Sequence, residues 1–166
     1  MLTIIIPVYN EINTIEKILD KIDRVNFISK EIIIVDDGST DGTVNLIKKK
    51  LLNRATKVIF HKKNQGKGSA IKSAKSFING DYVIIQDADL EYDPNDYQKL
   101  LNPIIENEFK VVYGSRVLGK PRYSNTKNFT SLSRIFFNHI LTIFSNIVNN
   151  QNLTDAHTCY KVFKTE

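Results

Sequence analysis

The sequence predicts an α/β domain with a mostly parallel sheet flanked by helices. Three observations predict it. Continuous apolar runs such as Leu2 to Val8 lack the in–out alternation of a half-exposed strand and suit strands buried on both faces. Between the runs, apolar residues recur at spacings of three and four, the period of a helix. The two kinds of segment alternate from residue 2 to residue 113, which is the pattern of a parallel sheet with crossover helices.

The elements follow in order. Leu2 to Val8 is the first strand. Glu11 to Ile28 carries Ile12, Ile15, Ile18, Leu19, Ile22 and Val25 as one helical stripe. Glu31 to Val35 is the second strand, and the turn 36–42 introduces a helix from Thr43 to Leu52. Lys57 to His61, a helix from Gly68 to Phe77 and a strand from Asp81 to Ile85 come next. Pro94 suits the first turn of a helix running to about Glu106. Lys110 to Tyr113 is a fifth strand. From Phe129 to Val148 the sequence is a very apolar helix, with Phe136, Phe137, Ile140 and Phe144 among its residues. The plain reading is a helix packed on a sheet; the functional one is a helix that also shows Phe and Ile to lipid. Thr158 to Phe163 reads as a short final strand. One domain, 1–166, accounts for the chain, in two halves of about 1–116 and 117–166.

Composition narrows the function classes. At 166 residues, 42% hydrophobic and 25% charged, the chain can bury a core and is not a disordered segment. Its single cysteine, Cys159, rules out an internal disulfide framework and a Cys-rich zinc site. Pro7 interrupts the first apolar run, so it is no signal peptide. The expected location is cytoplasmic, with a peripheral place on the cytoplasmic membrane face. The net charge of +5 suits a lysine-rich surface or a phosphate-bearing ligand. Scattered lysines and the lack of a nucleic-acid-binding motif argue against nucleic acid.

The most informative stretch is Val83 to Glu91. A buried strand ends in Asp87, Asp89 and Glu91, spaced two apart. Alternate residues of an extended segment point the same way, so the three acids are expected to converge. Oxygen donors of that kind suit Mg²⁺ or Mn²⁺, which keep positions open for substrate phosphates. Carboxyl ends of strands are where open α/β sheets bind ligands. An EF-hand does not fit, because Tyr92 and Gln98 stand where Gly and Glu are needed.

Four further constellations fall at strand ends. Pro7-Val8-Tyr9-Asn10-Glu11 offers an aromatic face for a base and a carboxylate for ribose hydroxyls, or else a turn opening a helix. In Asp36-Asp37-Gly38-Ser39-Thr40-Asp41-Gly42, one of the adjacent acids suits a ligand and a later residue suits a helix cap. Asn64-Gln65-Gly66-Lys67-Gly68 allows close backbone approach beside a lysine, but His61 and Gly68 break the pattern of a Walker A loop. In Tyr113-Gly114-Ser115-Arg116, the arginine suits a phosphate clamp or an ion pair with a nearby acid. His61, His139 and His157 show no metal-ligand spacing, and no Ser-His-Asp arrangement is apparent.

In this order and spacing, these motifs resemble family 2 glycosyltransferases of the GT-A (Rossmann-like) fold, over nearly the whole chain. Within the family the chain is most similar to the dolichyl- or polyprenyl-phosphate mannose and glucose synthase branch. Asp155-Ala156-His157-Thr158-Cys159-Tyr160-Lys161 resembles that branch's late acceptor-side motif. The resemblance implies that Pro7, Tyr9, Glu11, Asp36, Asp37, Lys67, Asp87 and Ala88 hold a nucleotide sugar. It implies that Asp87, Asp89 and Glu91 hold Mg²⁺ or Mn²⁺. Asp89, Arg116 and Arg134 would act on the reaction itself, the arginines at the phosphate of a polyprenyl acceptor. The implied reaction is inverting transfer of a hexose, from a UDP-glucose or GDP-mannose type of donor, to that phosphate. A glycan acceptor, or a nucleotide-sugar-binding module without turnover, is the alternative. Relatives continue beyond the Thr-Cys-Tyr-Lys segment, so the chain is expected to be a C-terminally truncated form.

Overall fold

The computed structural model describes residues 1–107, 109–118 and 129–165, with the backbone alone at 107, 129–132 and 134. Two compact units emerge, Met1–Val112 with Val162–Glu166, and Tyr113–Lys161.

The first unit is built on strands β1 (Leu2–Val8), β2 (Lys30–Asp36), β3 (Lys57–Phe60) and β4 (Tyr82–Ile85). These four are mutually parallel, with β1 paired to β2 on one side and to β4 on the other. The sheet closes with β6 (Lys161–Lys164) and β5 (Val111–Tyr113), in the order β3-β2-β1-β4-β6-β5. β6 runs antiparallel to β4, with Tyr82 opposite Lys164. It forms three residues later than the sequence pattern suggests. Residues 158–160 are taken up by a turn in which the Tyr160 N–H donates to Thr158 Oγ1.

The continuous apolar strands are buried on both faces, as their composition requires. Ile4, Ile5, Ile6, Ile33 and Ile34 are almost wholly excluded from solvent. On one face, Ile5, Ile33, Val35 and Val83 pack against Ala70 and Ala74 of α3 (Lys67–Ala74). The two alanines let the helix approach closely. α1 (Ile15–Asp23) buries Ile15, Ile18, Leu19 and Ile22. Each such side chain contributes about 1.5–3 kcal/mol when fully buried.

α1 is shorter than the predicted helix from Glu11. Asn10 adopts a left-handed φ of 58°, and the residues after it form a turn closed by Thr14 N–H and Ile15 N–H donating to the Glu11 carbonyl. α2 (Thr43–Leu46) continues into a π-turn over Ile47–Leu51 and a 3₁₀ turn over Leu52–Arg54. Pro94 opens a 3₁₀ turn leading into α4 (Tyr97–Asn107).

In the second unit, α5 (Phe129–Asn149) is the long apolar helix. No helix among the described residues is long and apolar enough to cross a membrane.

Candidate active site

The carboxyl ends of β1, β2, β3 and β4 lie along one edge of the sheet because the strands are parallel and in register. β1 is the switch point, since the chain continues to β2 on one side and returns as β4 on the other. Ligands of open α/β sheets bind in the crevice at such a point. A cleft of about 330 Å³ opens there, lined by Pro7, Val8, Tyr9, Glu11, Asp37, Asn64, Gly66, Lys67, Ala70, Asp87, Ala88 and Asp89.

The loop after β1 is tied to the loop after β2. Asn10 N–H donates to Ser39 Oγ, Thr40 N–H donates to Asn10 Oδ1, and Glu11 N–H donates to Thr43 Oγ1. Asp41 accepts from Thr43 N–H at the start of α2 and from Ile12 N–H. Ser39, Thr40 and Asp41 therefore brace and cap. Pro7, Tyr9 and Glu11 are left on the cleft wall.

The adjacent acids divide their work. Asp36 is fully buried and away from the cleft lining; its Oδ1 accepts from Gly38 and Ser39 N–H, shaping the turn. Its Oδ2 has no hydrogen-bond partner among the described residues. Asp37 is the cleft residue. It accepts from Gln65 N–H at 3.0 Å, Gly66 N–H at 2.7 Å and His61 Nδ1 at 2.7 Å. Burial opposes its ionisation, but these donors outweigh the cost and hold its carboxyl below the ordinary carboxylate range.

His61 passes the contact on, with Nε2 2.9 Å from Ser73 Oγ on α3. With Nδ1–H donating to Asp37, Nε2 faces the Ser73 hydroxyl. An Asp-His-Ser chain therefore exists where the sequence showed none. Its partners come from the loops after β2 and β3 and from α3, so spacing alone could not reveal it. Because Asp37 also holds two loop N–H groups, the chain braces the loop at Gln65 and Gly66.

The acidic stretch differs from the extended arrangement predicted. Leu90 is left-handed at φ 68°, and Glu91 N–H donates to Asp89 Oδ1 at 2.9 Å in a local turn. The turn ends the strand-like alternation. Asp87 and Asp89 stay on the cleft wall, while Glu91 is exposed and off it. Among the described residues, no three His, Cys, Asp or Glu side chains converge as a metal cage. Two carboxylates on one cleft still suit Mg²⁺ or Mn²⁺, which commonly bind one or two protein carboxylates plus phosphate oxygens. The Asp87 carboxylate already pairs with a positive charge, the Lys67 ammonium at the start of α3.

Gln86, which lies inside this stretch, and Tyr97 support it, a role that the sequence did not assign to either. Buried Gln86 donates to the backbone carbonyls of Asp87 at 3.0 Å and Tyr92 at 3.3 Å, and accepts from Tyr97 Oη at 2.9 Å. Burial pushes the Tyr97 hydroxyl well above its ordinary pKa, so it stays a donor.

In the second unit, Arg116 Nε lies 2.8 Å from Asp155 Oδ2 and Nη2 lies 3.2 Å from Oδ1. This is the ion-pair reading of Arg116, with a partner 39 positions away. Burial opposes ionisation of Asp155, and Arg116 reverses that, keeping its carboxyl below the ordinary range. Arg134 belongs to α5, and its side chain lies outside the described residues.

Sheet order and cleft place the chain among Rossmann-like α/β folds that bind ligands at strand ends. The description "Glycosyl transferase family 2" matches residues 3–166, and the chain belongs to that family. A UDP-N-acetylglucosamine–dolichyl-phosphate N-acetylglucosaminyltransferase of Methanococcus voltae is 31% identical over 161 residues, covering 85% of this chain and 63% of the relative. The chain thus spans less than two thirds of that relative. A mannosyltransferase of Pyrobaculum calidifontis, solved with GDP-Man and Mn²⁺, is 26% identical with a TM-score of 0.58, covering 66% of this chain and 34% of that one. Glucosyl-3-phosphoglycerate synthase of Mycobacterium tuberculosis, solved with Mn²⁺, UDP and glucosyl-3-phosphoglycerate, shares the fold at a TM-score of 0.72 and 19% identity. It covers 99% of this chain and 56% of that one.

Proposed function

We propose that the cleft holds a nucleotide sugar with a divalent cation, and that the chain carries out inverting transfer of a hexose to a polyprenyl or dolichyl phosphate. The observation that carries this reading is the meeting of Tyr9, Glu11, Asp37, Lys67, Asp87 and Asp89 on one cleft. Tyr9 offers a flat face to the base, while Glu11 and Asp37 accept from base or ribose. Pro7 and Ala88 shape the wall, and Asp36 acts through the turn it builds.

Asp87 and Asp89 would hold Mg²⁺ or Mn²⁺, which supplies positive charge to the diphosphate as the nucleotide departs. Lys67, beside Asp87, adds a second positive charge at the same wall. In the transfer, an acceptor phosphate oxygen forms a bond to the anomeric carbon as the bond from that carbon to the diphosphate breaks. The nucleotide diphosphate leaves with the electron pair. An anionic phosphate nucleophile needs no strong general base, so the chain's task is orientation and charge compensation. Arg116 and Arg134 are assigned to the acceptor phosphate. The lipid-linked acceptor of the Methanococcus relative supports that side of the reading. Such an acceptor brings the protein to the cytoplasmic membrane face as a peripheral partner.

Calorimetric titration with UDP-glucose, UDP-N-acetylglucosamine and GDP-mannose, with and without Mn²⁺, tests the donor site. At least one should bind in a Mn²⁺-dependent way, and Asp89→Ala should abolish that dependence while circular dichroism stays unchanged. Unaltered affinity in the variant would remove the metal assignment.

A further inference from the structure

α5 is fastened to its own unit by its polar side. Thr142 is only 3% exposed; its Oγ1 donates to the Asn138 carbonyl at 2.8 Å and accepts from Ala156 N–H at 3.3 Å. One turn on, Asn146 clasps Leu153, donating Nδ2–H to its carbonyl at 2.8 Å and accepting its N–H at 2.9 Å. The apolar side faces away. Phe137 is 60% exposed, Phe144 63% and Ile147 74%, with Ile140, Leu141 and Val148 beside them. At 3.6 residues per turn these six share an arc of roughly 120°, opposite Thr142 and Asn146. The usual arrangement of a surface helix is inverted.

The sequence charge of this unit bears on what covers the face. The unit Tyr113–Lys161 contains Arg116, Lys120, Arg122, Lys127, Arg134 and Lys161 against Asp155 alone, a net charge equal to the +5 of the whole chain. The larger unit is neutral by the same count. A second copy on this face would bring two such cationic units together, which is unfavourable. An apolar stripe on a cationic unit matches an anionic lipid surface, where chains embed apolar side chains and attract headgroups with lysine and arginine.

We propose that α5 docks this protein on an anionic bilayer through the face centred on Phe137, Phe144 and Ile147. The inference extends the acceptor side of the proposed reaction and rests on none of the donor-site assignments. The test is sedimentation of the full chain with vesicles of phosphatidylcholine alone and of phosphatidylcholine mixed with phosphatidylglycerol. Binding should be at least severalfold greater to the mixed vesicles and should weaken as salt is raised. F137D/F144D should lose most of it while keeping its helical circular dichroism and its calorimetric response to nucleotide sugar. Where that variant loses helix signal, Ile147→Asp at the most exposed position takes its place. Equal sedimentation of variant and parent on mixed vesicles would overturn the proposal. So would a lipid-free dimer in analytical ultracentrifugation that the same substitutions dissociate, since a second copy would then own the face.

Discussion

His61 joins Asp37 to Ser73 and so couples the residue after β3 to α3 beside the cleft. His61→Ala leaves a buried carboxylate short of one charge-assisted donor, worth about 1.5–3 kcal/mol. We expect nucleotide affinity to fall roughly tenfold or more by calorimetry, because the loop held by Asp37 carries Gly66 into Lys67. Ser73→Ala removes only the outer contact and should cost less. Equal affinities for His61→Ala and the parent would show that the brace does not reach the ligand. A second buried carboxylate sits at the opposite edge of the sheet. Burial opposes ionisation of Glu31, but Thr3, Asn79 and the N–H groups of Asn79 and Gly80 hold its carboxyl below the ordinary value. For Glu31 and Asp37 alike, a folded-state pKa below the unfolded one gives stability that is complete above the unfolded value. It is lost as pH falls through the folded value. The urea midpoint should therefore hold from neutral pH to about 5 and fall below about 4. Glu31→Gln should start lower and show a shallower fall; an identical profile would remove Glu31 as a contributor.

Loops at the strand ends depend on close backbone contact, and Gly38 shows it. Its φ is +76°, and a Cβ there would lie 2.6 Å from the Lys63 carbonyl carbon. Gly38→Ala should lower stability by at least the ~1–2 kcal/mol of a left-handed residue, read as a shift in denaturant midpoint. A midpoint within error of the parent would mean that the loop relocates freely. The same contact explains what pattern could and could not foretell. The strands were legible because burial on both faces leaves a continuous apolar run. Tyr9, Asp37, Lys67, Asp87 and Asp89 were legible because each follows a strand or opens a helix. The start of α1 was not, because Asn10 bonds with Ser39 and Thr40, some thirty positions away. Nor was the turn at Leu90, which separates Glu91 from the other acids. Gln86 and Asp155 lie inside motifs the sequence displays, but their partners Tyr97 and Arg116 come from other segments, so the bonds they make had no local signal.

Across the molecule, ligand and fold are linked through the larger unit, which contains every residue lining the cleft. A ligand at one hundred times its Kd stabilises the folded state by about 2.7 kcal/mol. Mn²⁺ with a bound nucleotide should therefore raise Tm by several degrees, and EDTA should reverse the rise. Asp89→Ala should show no such response; a Tm that ignores Mn²⁺ in the parent would count against the cation. Sheet order has a further consequence, for synthesis. β6 follows β5 in the sequence, yet it lies between β4 and β5 in the sheet. The sheet cannot grow outward as the ribosome delivers it. Until Lys161–Lys164 arrives, β4 keeps an open edge and β5 lacks the neighbour it has among the described residues, a state prone to recruiting strands from other chains. Closing it pairs Tyr82 with Lys164, one of the longest sequence separations in the molecule. Such non-local pairing is slow. A nascent chain of this protein is thus exposed to misassembly until Lys161–Lys164 slots into its interior position.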